Sequence, residues 1–189
     1  HSDLRRQRQM CIRDSAAPML HINGHTPGDK LSNIQQMDKF KITRKHLATL
    51  WKDFNTADVN VDLVAIGSPH ASLSECRNFV KFFNGKSCSP KVKTIITMGR
   101  DVLSQVKEEG ILEELKRTGI QVISDICWCS ITEPIFPDNT SVIMTNSGKY
   151  AHYAHGLTGR KTRFGSLEDC AKTAQSGLAK SDLPSWLSN

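Results

Sequence analysis

Val61–Ile66 reads VDLVAI and leads directly into Gly67-Ser68-Pro69-His70. The run is short, mostly apolar and rich in β-branched residues, and it lacks the alternation expected of a strand with one solvent-facing side. Such a run is typical of a strand covered on both faces of a parallel sheet. Three further runs predict strands: Thr94–Thr97, Val122–Ile126 and Ser141–Thr145. We expect Val61–Ile66 and Val122–Ile126 to be fully buried.

Segments of helical character separate these strands. Four helices are predicted: Thr43–Asn55, with apolar residues at i, i+3, i+4 and i+7; a helix opened by the capping box of Ser72 and Glu75 and running through Phe83; one from about Asp101 to Arg117; and one capped by Ser166 and Asp169 that reaches about Gln175. Strands that alternate with helices indicate βαβ units. The predicted fold class is therefore α/β, with three layers: a mostly parallel sheet and helices on both faces.

Composition narrows the class of protein. Apolar residues make up 38% of the 189 residues, charged residues make up 23%, and the net charge is +6. The basic residues are scattered among acidic ones, without a basic stripe interleaved with aromatic residues, so no nucleic-acid partner is expected. No apolar run approaches the ~20 residues that cross a bilayer, so no membrane partner is expected. Six cysteines without a secretion signal favour a reducing, cytoplasmic location.

The chain divides into four predicted segments. Residues 1–15 are rich in Arg and Gln and have no periodicity, so they are expected to be disordered and to make no core contacts. They also read like translated sequencing-adapter read-through. Residues 16–42 are predicted to form an irregular extension, 43–178 the α/β domain, and 179–189 a linker.

Reactive and polar residues follow the carboxyl ends of the predicted strands. In an open parallel sheet these ends share one edge, where ligands bind. Five side chains are therefore expected to converge: His70, Arg100, Cys127, Lys149 and His152.

The stretch SDICWCS, Ser124–Ser130, contains two cysteines one residue apart. In an extended chain Cys127 and Cys129 would point to opposite sides, so both can bind one metal ion only if the chain turns there. Together with His152 and His155 they are candidate zinc ligands, although C-x-C is not a zinc-finger spacing.

Other candidate residues have a plain structural reading. Lys149 is either a solvated lysine or an anion anchor, and Ser68 and Ser147 are either helix caps or site residues. No G-x-G-x-x-G follows a strand, and Ile143 stands where a P-loop ending at Gly148-Lys149 would need its first glycine. Dinucleotide and nucleotide-triphosphate binding are therefore disfavoured.

Six blocks of sequence, in this order and spacing, resemble the aconitase X family. They are PMLHINGHTP (Pro18–Pro27), VDLVAIGSPHASLSECR, TMGRDV, SDICWCSITEP, MTNSGKYAHYAHGLTGR and RFGSLEDC. The resemblance extends from about Ala17 to Gly177 and identifies 43–178 as a fragment of the catalytic domain, from the C-terminal part of the family's large portion. It implies an aconitase-like α/β/α fold.

The resemblance also implies a dehydratase, a hydro-lyase that removes water from a hydroxy acid with the help of an iron–sulfur cluster, of the 2Fe-2S type or a related one, or of iron held by cysteines. Family members include cis-3-hydroxy-L-proline dehydratases and archaeal phosphomevalonate dehydratases. The CWC and NSGKYAHY wording is closer to the hydroxyproline branch, and so is Ser68, where some members have Cys. Cys127 matches a family cluster cysteine, and Cys129 belongs to the hydroxyproline-type variant of the loop.

Roles follow from the resemblance for the remaining site residues. The metal ligands are Cys127 and Cys129, with Trp128 shielding the metal. The expected catalytic residues are Ser68, His70, Lys149 and His152, and the expected substrate-binding residues are His21, Arg100, Asn146 and Ser147. Lys149 or Arg100 suits the role of holding the substrate carboxylate, and Ser68, His70 or His152 that of assisting proton transfer. The family also implies an N-terminal half and a small swivelling domain outside this chain, so the fragment alone is expected to be inactive. The alternatives are a phosphomevalonate-type dehydratase and a non-catalytic α/β module with a structural zinc.

Overall fold

The computed structural model describes residues 38–130, 135–180 and 183–188. Contacts divide the chain into two units, 1–43 and 44–189. The predictions for residues 1–15, for most of the extension at 16–42 and for His21 lie outside the described residues, as does the block Pro18–Pro27.

The second unit contains five strands and six α-helices within its described part. In chain order these are α1 (Arg44–Asp53), β1 (Leu63–Ile66), α2 (Leu73–Phe83), β2 (Lys93–Met98), α3 (Arg100–Glu108), α4 (Ile111–Arg117), β3 (Gln121–Ser124), β4 (Val142–Thr145), α5 (Gly148–Thr158), β5 (Lys161–Phe164) and α6 (Leu167–Ser176). All strand pairs are parallel, in the order β3-β2-β1-β4-β5. The predicted α/β fold with a parallel sheet is confirmed.

Two apolar clusters cover the two faces of the sheet. On the first face, side chains of α2, α3, α4 and α6 pack against Val64, Ile66, Ile96 and Met144. On the second face, Tyr150 and Ala154 of α5 pack with Trp128 and Phe136 against alternate strand residues. The connection from β3 to β4 therefore contributes to the second face, which has fewer helices than the first. Cys76 and Cys170 are buried in the first cluster, as expected of core cysteines.

The two capping boxes form as predicted. The Ser72 hydroxyl accepts a hydrogen bond from the Glu75 backbone N–H at the start of α2, and Ser166 and Asp169 make the same arrangement at α6. The prediction of a single helix from Asp101 to Arg117 is wrong, because the helix is interrupted between α3 and α4. Gly110 has a left-handed φ of +72°, which ends one helix and starts the next.

The strand predictions need three corrections. Val122–Ile126 is not fully buried, because β3 is an edge strand that ends at Ser124, and Ile126 is 43% exposed. Within Val61–Ile66, Asp62 is only partly buried, because it precedes β1 at the amino end of the sheet. Its carboxylate accepts hydrogen bonds there from Ser141 and Val142 at the start of β4. The other edge strand, β5, was not predicted at all.

The segment predicted as a linker contacts the domain in its described part. The ring of Trp186 lies 6.2 Å from that of Trp51 in α1, edge to face, and Leu187 is buried. Whether this segment acts as a linker stays a prediction. Among the helices of the described ranges, none has the length and apolar character that a membrane crossing needs.

Candidate active site

The candidate site lies where the strand order reverses. The chain runs outward from β1 through β2 to β3, and then returns to the other side of β1 as β4. In open α/β sheets the crevice at the carboxyl ends of the strands beside such a reversal is the usual ligand site. Here that crevice is bordered by the loop after β1, which holds Ser68, and the loop after β4, which holds Asn146 and Ser147.

Gly67 allows the loop after β1 to close tightly onto β2. Its φ is +89°, and a Cβ at this position would lie 2.1 Å from the backbone oxygen of Thr97. The Thr97 hydroxyl donates to the backbone oxygen of Gly67 at 2.5 Å, and the Ala71 N–H donates to the Thr97 oxygen at 2.8 Å. Only glycine fits this approach, and it fixes where Ser68 is presented.

The turn after β3 brings the two cysteines together. Trp128–Ser130 forms a short 3₁₀ turn, so Cys127 and Cys129 do not point apart, and their sulfurs lie 2.9 Å from each other. Neither cysteine is in a disulfide bond. The Ser68 hydroxyl lies 3.7 Å from the Cys127 sulfur, which joins the loops after β1 and β3.

Trp128 anchors this turn in the core of the second face. Its side chain is fully buried, and its ring lies 4.1 Å from that of Tyr150 and 6.4 Å from that of Phe136. The buried indole N–H has no hydrogen-bond partner within the described part of the chain. Burial of a large aromatic side chain stabilises the position of both neighbouring cysteines. The role of Trp128 as a shield for a metal stays a prediction.

The two thiols share one favourable negative charge. The pKa of Cys127 is lowered to about 5, first by the hydrogen bond from the Cys129 thiol, and also by the Cys129 backbone, the Ser68 hydroxyl and the positive charge of Lys149, which together outweigh burial. The pKa of Cys129 is raised, first by its bond to Cys127 and then by burial. The pair therefore loses its first proton easily and holds the second.

Arg100 is already engaged with Asp125. The Asp125 carboxylate accepts from the backbone N–H of Arg100 at 3.0 Å, from Nε at 2.9 Å and from Nη2 at 2.7 Å. It thereby caps α3, whose N-cap residue Gly99 has no side chain to do so. These hydrogen bonds from Arg100 lower the pKa of Asp125. Arg100 is thus committed to Asp125, whereas Lys149 is exposed, and which of the two anchors an anion stays a prediction.

Of the remaining predicted residues, Ser147 is hydrogen-bonded to the loop that holds Ser68, whereas His70 and His152 are exposed. The Ser147 hydroxyl caps α5 by accepting from the Tyr150 N–H at 3.2 Å, and it donates to the backbone oxygen of Ser68 at 3.1 Å. His70 is exposed, near enough to Asp125 for its charge to act on that carboxylate. His152 is exposed on α5, with its ring 6.5 Å from that of Phe54.

Two residues of this edge were not predicted as site residues. Asp125 holds Arg100, and the Glu75 carboxylate accepts a hydrogen bond from the Asn146 side-chain amide at 3.2 Å. Asp125 directly follows β3, so its place at the carboxyl edge was a usable signal. Glu75 was recognised only as part of a capping box.

Comparison with known proteins identifies the family. A family model described as the aconitase X third domain matches residues 61–176. The chain belongs to the aconitase X family.

Three aconitase X relatives are informative. The chain is 38% identical over 182 residues to the cis-3-hydroxy-L-proline dehydratase of Hypocrea jecorina, which covers 93% of this chain and 30% of the relative. It is 36% identical over 180 residues to the protein of the same name from Pseudomonas aeruginosa, covering 92% of this chain and 31% of the relative. The crystal structure of Thermococcus kodakaraensis aconitase X in its holo-form superimposes with a TM-score of 0.60 at 30% identity, over 69% of this chain and 33% of that one.

More distant relatives are named phosphomevalonate dehydratase large subunit and are 23% to 30% identical. The chain spans about 30% of the length of the two hydroxyproline dehydratases it matches.

The donor set at the cysteine turn fits part of an aconitase X metal centre. Thiolate sulfur is a suitable ligand for iron and for iron–sulfur clusters, and two sulfurs converge here with one proton readily lost. Across the described ranges, no group of three or more His, Cys, Asp or Glu side chains is arranged to hold a metal ion. Cys127 and Cys129 would therefore hold such a group together with ligands from elsewhere.

Proposed function

We propose that this chain is part of a hydro-lyase that removes water from cis-3-hydroxy-L-proline, with an iron–sulfur centre or iron held in part by Cys127 and Cys129. The observation that carries the proposal is the pair of sulfurs 2.9 Å apart at the carboxyl edge of the sheet, beside Ser68 and within reach of the charge of Lys149. The names of the two relatives at 36% and 38% identity support this substrate.

Removal of water from a 3-hydroxy acid makes three demands on the site. The leaving hydroxyl must be polarised, the proton on the carbon beside the carboxylate must be taken up, and the carboxylate must be held. Iron held in part by Cys127 and Cys129 would supply a Lewis acid for the hydroxyl.

This chain's own side chains meet the other demands. The exposed ammonium group of Lys149, in the first turn of α5, holds the substrate carboxylate. The Ser68 hydroxyl, next to Cys127, relays the proton. Its Oγ takes up the proton from the carbon beside the carboxylate while its own hydroxyl proton passes to a base, for which His70 and His152 are this chain's candidates. The hydrogen bond from Ser147 to the backbone of Ser68 keeps that hydroxyl in place during the reaction.

The test uses a full-length chimera, in which this chain replaces the matching 31% of the Pseudomonas aeruginosa dehydratase. After anaerobic reconstitution with iron and sulfide, the chimera is expected to absorb visible light and to dehydrate cis-3-hydroxy-L-proline. Cys127→Ser should abolish both, because a hydroxyl is a poor ligand for iron in a sulfur-rich site. Its folding should survive, since the two side chains are nearly isosteric.

Cys88→Ser is the matched control. Cys88 is a half-buried free thiol that packs against the first-face cluster, away from the cysteine turn, so its loss should leave colour and activity unchanged. A colourless chimera that contains zinc would contradict the proposal and favour the non-catalytic module, because zinc does not absorb visible light.

A second candidate reaction is dehydration of phosphomevalonate, which the names of the more distant relatives favour. The same chimera distinguishes the two substrates when each is supplied separately. Turnover of phosphomevalonate without turnover of cis-3-hydroxy-L-proline would replace the first proposal with the second.

A further inference from the structure

The Glu75 carboxylate accepts hydrogen bonds from two segments of the chain that border the crevice. One oxygen, Oε2, accepts from the backbone N–H and from the hydroxyl of Ser72, both at 2.9 Å, and so completes the capping box of α2. The other oxygen, Oε1, accepts from Nδ2 of Asn146 at 3.2 Å. Glu75 thus connects the first turn of α2 with the loop that follows β4.

The second capping box of the protein shows what a cap alone requires. At α6, Asp169 accepts from the backbone N–H of Ser166 at 3.1 Å and from its hydroxyl at 2.7 Å, with a single carboxylate oxygen. Within the described part of the chain, no hydrogen bond joins the Asp169 carboxylate to another loop. The bond from Asn146 to Glu75 is therefore additional to helix capping and needs another explanation.

The bond to Glu75 determines which way the Asn146 amide faces. A carboxylate only accepts hydrogen bonds, so the NH₂ group of Asn146 must point toward Glu75. The amide oxygen and the second N–H then point elsewhere, and no described residue forms a hydrogen bond with that oxygen. The neighbouring residue Ser147 donates to the backbone of Ser68, so this amide is held at the crevice between β1 and β4.

We infer that Glu75 is a positioning residue, which fixes the amide of Asn146 so that its oxygen and its second N–H bind the hydroxy acid. This inference rests on the proposed function. It assigns to one carboxylate both the cap of α2 and the orientation of a substrate-binding amide.

A carboxylate-to-amide exchange separates these two roles. Glu75→Gln keeps one oxygen, which can still accept from Ser72, but its NH₂ group then faces Asn146 and cannot accept from it. The Asn146 amide must turn over or lose its partner. Asp169→Asn makes the same chemical change at the other capping box, where no substrate-binding residue is attached, and it is the matched control.

The experiment measures kcat, KM and the thermal midpoint for the full-length chimera and its variants with cis-3-hydroxy-L-proline. We expect Glu75→Gln to raise KM by about threefold to tenfold, the effect of one lost hydrogen bond, with kcat changed by less than about twofold. Glu75→Gln and Asp169→Asn should lower the thermal midpoint to a similar extent, but Asp169→Asn should leave KM unchanged. Ser72→Ala, which removes the cap and leaves the bond to Asn146, should also leave KM unchanged.

The double variant tests whether Glu75 acts through Asn146. Asn146→Ala should raise KM at least as much as Glu75→Gln does, and adding Glu75→Gln to it should have no further effect. Independent, multiplying effects would overturn the inference, as would an equal rise in KM for Ser72→Ala or an unchanged KM for Glu75→Gln. A wild-type chimera that turns over no hydroxy acid would instead overturn the proposed function, and the inference with it.

Discussion

Gly67 is the residue on which the geometry of the crevice most directly depends. The methyl group of an alanine there would meet the Thr97 oxygen at 2.1 Å, and the alanine backbone would also have to adopt a φ of +89°. Gly67→Ala should therefore destabilise the chain by about 4 kcal/mol, at the upper end of single-substitution effects. Urea unfolding of the 189-residue chain measures this.

Gly85→Ala is the control for backbone strain alone. Gly85 has a φ of +77°, but a Cβ there would meet nothing within 4 Å. Its replacement should cost only the left-handed conformation, about 1 to 2 kcal/mol. If both variants lose the same stability, the close approach of Gly67 to Thr97 does not contribute.

The contact between Asp125 and Arg100 makes the free energy of unfolding depend on pH. Its pKa is lowered below the ordinary 3.8 by the hydrogen bonds from Arg100, so its contribution to stability is fully present above that value. The contribution is lost as the pH falls from about 4 through the lowered pKa. The stability of Asp125→Asn should therefore fall less steeply than that of the wild type over this range, and the unfolding free energy measured at a series of pH values tests it.

Asp138→Asn is a suitable comparison for the loss of a carboxylate alone. Asp138 is exposed, and within the described ranges it has no hydrogen bond or ion pair. Its replacement removes a carboxylate without removing a contact, so the unfolding free energy at pH 7 should change by less than about 0.5 kcal/mol. A curve for Asp125→Asn that coincides with the wild-type curve would show that the contact with Arg100 does not stabilise the fold.

The strands differ in how well the fold protects their backbone amides from exchange with solvent. All residues of β1 are buried, and the strand is paired on both sides, by β2 and β4. In contrast, β3 is paired only by β2, and its side chains are exposed or half-buried. Backbone amides of β1 should therefore exchange with solvent more slowly than those of β3, at rates corrected for sequence. Hydrogen exchange followed by mass spectrometry tests this, and equal protection would contradict the assignment of β3 as an edge.

Elements that depend on local chemistry could be predicted from the sequence. The capping boxes at Ser72 and Ser166 and the apolar run of β1 are encoded within a few residues. Strand β5 was missed because its sequence, KTRF, looks polar. Thr162 and Arg163 are nevertheless buried, since they donate hydrogen bonds to the backbone oxygens of Phe54 and Asp58, more than 100 residues earlier in the chain. No local pattern shows such partners.

The candidate site was predictable to a similar degree. The requirement for a turn between Cys127 and Cys129 followed from their spacing, and the structure has that turn. The pairing of Asn146 with Glu75 depends on the order of β1 and β4 in the sheet, which the sequence alone does not specify. Asp125 and Arg100 likewise meet only because β2 and β3 are neighbours.

At the scale of the whole molecule, the site is assembled from three loops that are far apart in sequence. The loops after β1 and β3 supply Ser68 and the cysteine pair, and the loop after β4 leads into α5, which has Lys149 in its first turn. Side-chain hydrogen bonds join the three loops across the carboxyl edge of the sheet. This arrangement holds the cysteines, a hydroxyl and a cation along one edge of the sheet. Under the proposed function, the opposite side of a bound hydroxy acid is covered by parts of the enzyme outside this chain, which spans about 30% of its hydroxyproline dehydratase relatives.

The last prediction compares this chain with such an enzyme. A two-iron, two-sulfur cluster is commonly held by four cysteines, and by fewer where one iron keeps a position open for substrate, whereas the described residues bring only two sulfurs together. The chain also matches only about 30% of its hydroxyproline dehydratase relatives. Reconstituted anaerobically with iron and sulfide, the 189-residue chain should therefore bind iron weakly through Cys127 and Cys129 and show no turnover of cis-3-hydroxy-L-proline, whereas the chimera should be active. Iron content after gel filtration and a substrate-depletion assay measure both properties, with Cys127→Ser as the control for iron bound elsewhere. Turnover by the chain alone would mean that its own residues complete the site.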